Sequence, residues 1–128
     1  MLNKTILIME NDLDLAEVLS DIFTLEGYTV IIWGHDYATA TLPLTVDLVL
    51  CEMQLTSIYT GLHVLKNLRN DPQTHHIPFI MMSCTNDRLL RHRSHRLGAD
   101  YYLNKPFRTE HLLDTVSTLI TTIEPAIH

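Results

Sequence analysis

Three short, largely apolar runs do most to constrain what this chain can fold into: Thr5-Ile6-Leu7-Ile8-Met9, Asp47-Leu48-Val49-Leu50-Cys51 and Ile77-Pro78-Phe79-Ile80-Met81-Met82-Ser83. The first two lack polar alternation and read as strands covered on both faces, as the strands of a parallel sheet are. The third reads as a strand with its proline at the entry, where a missing donor costs little. Tyr28–Trp33, rich in β-branched and aromatic residues, and Tyr101–Asn104 supply two more strands.

Helical spacing fills the intervals. From Asp12 onward Leu15, Val18, Leu19, Ile22 and Phe23 recur on one face, and Gly27 offers the left-handed residue that closes a helix. A short helix over Asp36–Leu42 stops at Pro43. Gly61 precedes Leu62, Val64, Leu65 and Leu68, which end at the turn Asn70-Asp71-Pro72. A fourth helix over Asp87–Leu97 stops at Gly98, and after Pro106 the residues Leu112, Leu113, Val116, Leu119 and Ile120 form the last. Five strands alternating with five helices call for right-handed crossovers and a parallel sheet.

At 128 residues, the reading is a single domain over 1–128, long enough to bury a core of its own. A formal net charge of -6 gives the whole chain no electrostatic pull toward nucleic acid or membrane and favours protein partners. Cys51 and Cys84 show neither zinc-ligand spacing nor a disulfide framework, so both are expected as reduced core thiols. No run approaches the roughly 20 apolar residues of a membrane span. The N-terminus lacks a secretory pattern, so a cytoplasmic location is expected.

Two strands end in acids, Glu10 after Met9 and Glu52 after Cys51. Open α/β sheets bind ligands at the carboxyl ends of their strands, so these acids mark a site.

Ile6-Leu7-Ile8-Met9-Glu10-Asn11-Asp12, the strand to Glu52, Ile77–Ser83, Gly98-Ala99-Asp100-Tyr101-Tyr102 and Asn104-Lys105-Pro106-Phe107 resemble, in order and spacing, the receiver domain of two-component response regulators. The likeness covers nearly the whole chain. It implies a flavodoxin-like (βα)5 three-layer sandwich with a parallel five-stranded sheet of order 2-1-3-4-5. It also implies phosphorelay signalling: in that family two acids after strand one and an aspartate after strand three hold Mg²⁺, and the aspartate accepts a phosphoryl group from a histidine kinase. A hydroxyl ending strand four and a lysine after strand five hold the phosphoryl oxygens. By resemblance these roles fall on Glu10 and Asn11, on Glu52, and on Ser83 and Lys105, with the backbone carbonyl of Gln54 as a further metal ligand and Tyr102 as the switch aromatic.

Three departures bear on the chemistry. Asn11 is a neutral oxygen donor where a hard cation wants a second carboxylate, so Mg²⁺ binding is expected to be weak or lost. Glu52 stands at the phosphoacceptor position, and its extra methylene carries the carboxylate about 1.5 Å into the space that metal and phosphoryl share. A misplacement on the order of 1 Å costs about 100-fold in rate. The loop Leu55-Thr56-Ser57-Ile58-Tyr59-Thr60-Gly61 lacks the family's proline, runs one residue longer and is expected to be less rigid. The resulting expectation is an atypical receiver, not conventionally phosphorylated, acting through protein contacts. An ordinary Mg²⁺-dependent receiver of reduced efficiency is the alternative. Glu52 either imitates a phosphorylated aspartate, with about one charge against nearly two, or simply pairs with Lys105. An enzyme reading lacks both an aspartate nucleophile and a glycine-rich phosphate loop.

Competing structural readings accompany the other residues. Ser83 suits an N-cap, and Asp12 suits either a substitute metal ligand or the first turn of a helix. The fourth helix holds Arg88, Arg91, Arg93 and Arg96, four of nine Lys and Arg residues, and is expected to be a docking face. In receivers the fourth helix, fifth strand and fifth helix form the usual output or dimer face, so a homodimer there, a histidine kinase or an output protein are the partners implied. Nucleic acid ranks lower, because one basic helix carries no reading motif.

Overall fold

The computed structural model describes residues 3–33 and 45–123, the last two of these by backbone alone. Within them the chain runs β1 (Thr5–Met9), α1 (Leu13–Leu25), β2 (Thr29–Trp33), β3 (Leu48–Glu52), α2 (Gly61–Asn70), β4 (Phe79–Ser83), α3 (Arg88–Leu97), β5 (Tyr101–Asn104) and α4 (Thr109–Ile123). The helix expected over Asp36–Leu42 lies outside the described residues. α3 and α4 are therefore the fourth and fifth helices of the sequence reading.

All five strands pair in parallel in the order β2-β1-β3-β4-β5, the flavodoxin-like sheet expected. The apolar runs explain why. Every residue of β3 and β4 is buried, and successive side chains go to opposite faces. Leu7, Met9, Val49, Cys51, Phe79 and Met81 meet Val64, Leu65 and Leu68 of α2 on one face. Ile6, Ile8, Leu48, Leu50, Ile80 and Met82 meet Ala16, Leu19 and Phe23 of α1 and Leu112, Val116 and Ile120 of α4 on the other. Each large aliphatic or aromatic side chain among them contributes roughly 1.5–3 kcal/mol of burial.

Local signals close the elements. Asp12 caps α1, its side chain accepting from the backbone N–H of Asp14 and Leu15, and Gly27 follows the helix at φ 94°. Asp87, rather than Ser83, caps α3. β4 starts at Phe79, two residues later than the apolar run suggests, once the chain has passed Pro78. Gly61 permits a close approach: a Cβ there would lie 2.6 Å from Met81 Sδ and 2.7 Å from the Glu52 carbonyl oxygen. The start of α2 is thereby pressed against the ends of β3 and β4.

Candidate functional site

Register places the chemistry at one sheet edge. Glu52 is paired with Met82 and Ser83 with Asn104, while Met53 N–H donates to Met82 O at 2.7 Å and Lys105 N–H to Ser83 O at 2.8 Å. Glu10, Glu52, Ser83 and Lys105 thus leave the sheet together at its carboxyl end, beside the point between β1 and β3 where strand order reverses. The Lys105–Pro106 peptide bond there is cis.

Two of the acids are buried: Glu10 is 0% and Glu52 5% exposed. Isolated carboxylates at such depth are costly unless compensated. Lys105 compensates both. Its ammonium donates to Glu10 Oε1 at 2.7 Å and forms a close ion pair with Glu52 Oε2. Backbone amides hold the remaining oxygens: Asp12 N–H donates to Glu10 Oε2 at 3.1 Å, and Gln54 N–H to Glu52 Oε1 at 3.4 Å. Glu52 Oε2 takes no hydrogen bond of regular geometry beyond its ion pair. Burial raises the Glu52 pKa above its ordinary value, and the contacts with Lys105 moderate the rise. For Lys105 burial acts downward, but the hydrogen bonds and charges of Glu10 and Glu52 outweigh it and raise its pKa. The ammonium therefore stays charged.

The other expected site residues divide. Ser83 is buried with its hydroxyl oxygen accepting from Thr85 N–H at 3.1 Å, so it shapes the β4–α3 loop. Asn11 is exposed. Tyr102 is half-buried, its hydroxyl donating to Thr85 O at 3.2 Å and its ring lying 5.1 Å beneath the Arg91 guanidinium. Tyr101 turns to the other side and meets His111 at 2.7 Å. The loop after β3 is laced by its own bonds. Thr56 Oγ1 accepts from Ile58 N–H and Tyr59 N–H, Gln54 Nε2 donates to Thr56 O, and Thr60 N–H donates to His63 Nδ1. Threonine and histidine side chains there supply the closure that proline would otherwise favour.

Two corrections follow, and one expectation holds. Cys84 is exposed rather than a core thiol, because it lies just beyond β4 where the sheet has ended. Cys51 is buried, and its thiol is held well above the ordinary pKa by burial and then by the Glu52 and Glu10 charges, so it is not a thiolate nucleophile. The arginines of α3 do not form one face. Arg91 turns toward Tyr102 and Asn86, whereas Arg93 and Arg96 border α2; the helical turn of about 100° per residue separates them.

The contact that sequence reasoning missed is Glu10–Lys105. Also unforeseen is a clamp at the opposite edge, where Arg69 donates to the carbonyl oxygens of Gly98, His75 and Ile77 and pairs with Asp100 at 3.2 Å. Asp100 Oδ2 in turn accepts from Phe79 N–H at 2.8 Å. Sequence carries no signal for either, since Glu10 and Lys105 are 95 residues apart and most of Arg69's acceptors are backbone carbonyls. Among the described residues no three or more His, Cys, Asp or Glu side chains converge as a metal cluster, and no helix is long and apolar enough to cross a membrane.

Comparison with known proteins points the same way as the geometry. Residues 6–117 match the model of the response regulator receiver domain. The transcriptional regulatory protein CpxR of Klebsiella pneumoniae is 35% identical over 121 residues, which cover 93% of this chain and 50% of that protein. The phosphate regulon regulator PhoB of Rhizobium meliloti is 27% identical over 124 residues, 95% of this chain and 54% of its own length. The chain thus spans about half the length of these relatives. Among solved structures, a response regulator from Chloroflexus aurantiacus superposes with a TM-score of 0.80 at 26% identity, covering 94% of this chain and 99% of its own. The receiver domain of a signal transduction histidine kinase from Syntrophus aciditrophicus gives 0.81 at 25%, covering 97% and 95%. With its sheet order, its acids at the carboxyl edge and the lysine that joins them, this chain belongs to the response regulator receiver domain family of two-component signalling.

Proposed function

We propose that this receiver is an atypical one, whose signalling state is not set by ordinary aspartyl phosphorylation and whose output runs through protein contacts. One observation carries the reading: the Lys105 ammonium bridges Glu10 and Glu52, the carboxylates that the chemistry would need. Receivers typically bind Mg²⁺ at this edge, and the ion demands near-octahedral oxygen coordination with a carboxylate or two. Both buried carboxylates are engaged by an ammonium, and Asn11 adds only a neutral donor at the surface. The residues fit Mg²⁺ poorly. Glu52 also carries its carboxylate beyond the reach of an aspartate, so a phosphoryl donor meets an acid already paired and displaced.

The same contact bears on the mimic reading. A carboxylate held against Lys105 occupies the place of a phosphoryl oxygen, yet with about one negative charge it imitates phosphoaspartate only in part. The arrangement favours a fixed state over a switch. We read the domain as residues 1–128. Like the transcriptional regulators it resembles, it is proposed to work within a pathway that ends in an output protein, with a histidine kinase as a further candidate partner and homodimerisation through α3, β5 and α4 as a candidate assembly.

Incubation with acetyl phosphate and Mg²⁺, followed by intact mass, tests the reading. The expected spectrum is unchanged, and amide NMR shifts at Glu10, Asn11 and Glu52 stay put on Mg²⁺ titration. A stoichiometric phosphoryl adduct overturns it in favour of an ordinary receiver.

A further inference from the structure

α2 and α3 pack side by side against the same sheet face, leaving between them a groove of about 730 Å³. That volume is of the size that holds ligands. Leu62, Leu90 and Leu97 lie half-buried in it, continuous with the core beneath. Lys66 from α2 and Arg93 and Arg96 from α3 stand exposed around them. Among the described residues none of these three cations forms an ion pair or a hydrogen bond, and no carboxylate lines the groove. On a chain of net charge -6, that is a local concentration of uncompensated positive charge over an apolar base.

We propose that this groove is a docking site for an acidic amphipathic helix of a partner protein. The chemistry selects the occupant. Leucines at the bottom ask for apolar side chains recurring every three to four residues, the stripe that a helix presents. Three cations with no ion partner among the described residues ask for carboxylates flanking that stripe, and such complementarity gives specificity and speeds encounter. Length fits as well: α2 and α3 are 10 residues each, so the groove runs for about 15 Å, room for roughly three turns of a docked helix. The surface differs from the α3–β5 side, where Arg91 is occupied by Tyr102. It also stands apart from Glu10, Glu52 and Lys105, so the proposal stands or falls independently of the phosphorylation reading.

A fluorescent helical peptide of about 15 residues, with leucines at i, i+3, i+4 and i+7 flanked by glutamates, is the probe. Fluorescence anisotropy against the whole chain is expected to show saturable binding. Arg93→Glu with Arg96→Glu should weaken it at least about tenfold, while Arg88→Glu with Arg91→Glu leaves it unchanged. Circular dichroism melts check that each variant folds, and Lys66→Glu on the other wall serves should the α3 pair fail to do so. An analogue with lysine for glutamate should not bind. Equal binding of that analogue, or equal loss from the Arg88 and Arg91 pair, overturns the proposal. So does competition by a single-stranded oligonucleotide at similar concentration, which would assign the groove to phosphates. Sedimentation of the protein alone covers the remaining occupant: self-association abolished by the Arg93 and Arg96 pair would replace the partner by a second copy.

Discussion

Replacing Lys105 by methionine removes the ammonium from between two buried carboxylates while keeping most of the side chain's packing. At 2.7 Å from Glu10 Oε1, an ion pair in an effective dielectric of about 20 is worth roughly 6 kcal/mol of gross attraction. Desolvation of the ions offsets much of that, and breaking a buried pair costs about 3–5 kcal/mol net. The Lys105 side chain is 20% exposed, so water reaches it and the lower end applies, about 3 kcal/mol. The loss should depend on pH in one direction. Burial already raises the Glu52 pKa, and Lys105 limits that rise; without the ammonium the folded-state value climbs further. A carboxyl with a raised folded pKa is protonated in the folded state before the unfolded one, so folding stability is greatest below the unfolded value and falls as pH rises through the folded one. The deficit of Lys105→Met is therefore full at about pH 7.5 and smaller at about pH 5. Urea unfolding at both pH values measures it, and adding Glu52→Gln should recover roughly half by removing carboxylate repulsion. A loss under about 0.5 kcal/mol, equal at both pH values, would refute the bridge as the organiser of this edge.

Glu52→Asp, alone and with Asn11→Asp, should gain phosphoryl uptake from acetyl phosphate by about 100-fold over the parent chain, read by intact mass over time, because the acid withdraws by one methylene. Gly61→Ala should cost about 1–3 kcal/mol in a urea melt, since its Cβ would lie 2.6 Å from Met81 Sδ and 2.7 Å from backbone. Arg69→Met should cost on the order of 2 kcal/mol by leaving the carbonyl oxygens of Gly98 and Ile77 without their donor. In the parent chain the Lys105 pKa is raised. Its stabilising share should thus persist below the ordinary lysine range and vanish only as pH rises through the raised value, an alkaline loss that thermal melts of Lys105→Met should lack.

Legibility in the sequence followed chain distance. The strands ending in Glu10 and Glu52 announced themselves by unbroken apolar runs, because a strand buried on both faces tolerates nothing else. Helix ends were readable at Asp12 and Gly98, where a side-chain acceptor and a left-handed glycine meet purely local needs. Ser83 was readable as a strand-end hydroxyl but not as the acceptor for Thr85 N–H, a matter of loop geometry. The basic α3 looked like one charged face and is two, since which arginine turns to Tyr102 and which to α2 depends on how the helix is rotated against the sheet. Arg69 gave no signal because its acceptors are carbonyl oxygens, which every residue carries.

From the amino-acid order alone came the alternation of strands and helices, the parallel sheet, and a glutamate at the end of β3, which the resemblance to receivers sets at the place of their aspartate. The first two rest on periodicity, a property of neighbours in the chain. Only the tertiary structure decided that Lys105 would reach both Glu10 and Glu52 and that Lys66, Arg93 and Arg96 would surround three leucines. Glu10 and Lys105 are 95 residues apart in the chain. Charges that distant are brought together by burial of the sheet between its helices, and where they meet depends on strand register and helix rotation rather than on spacing in the sequence.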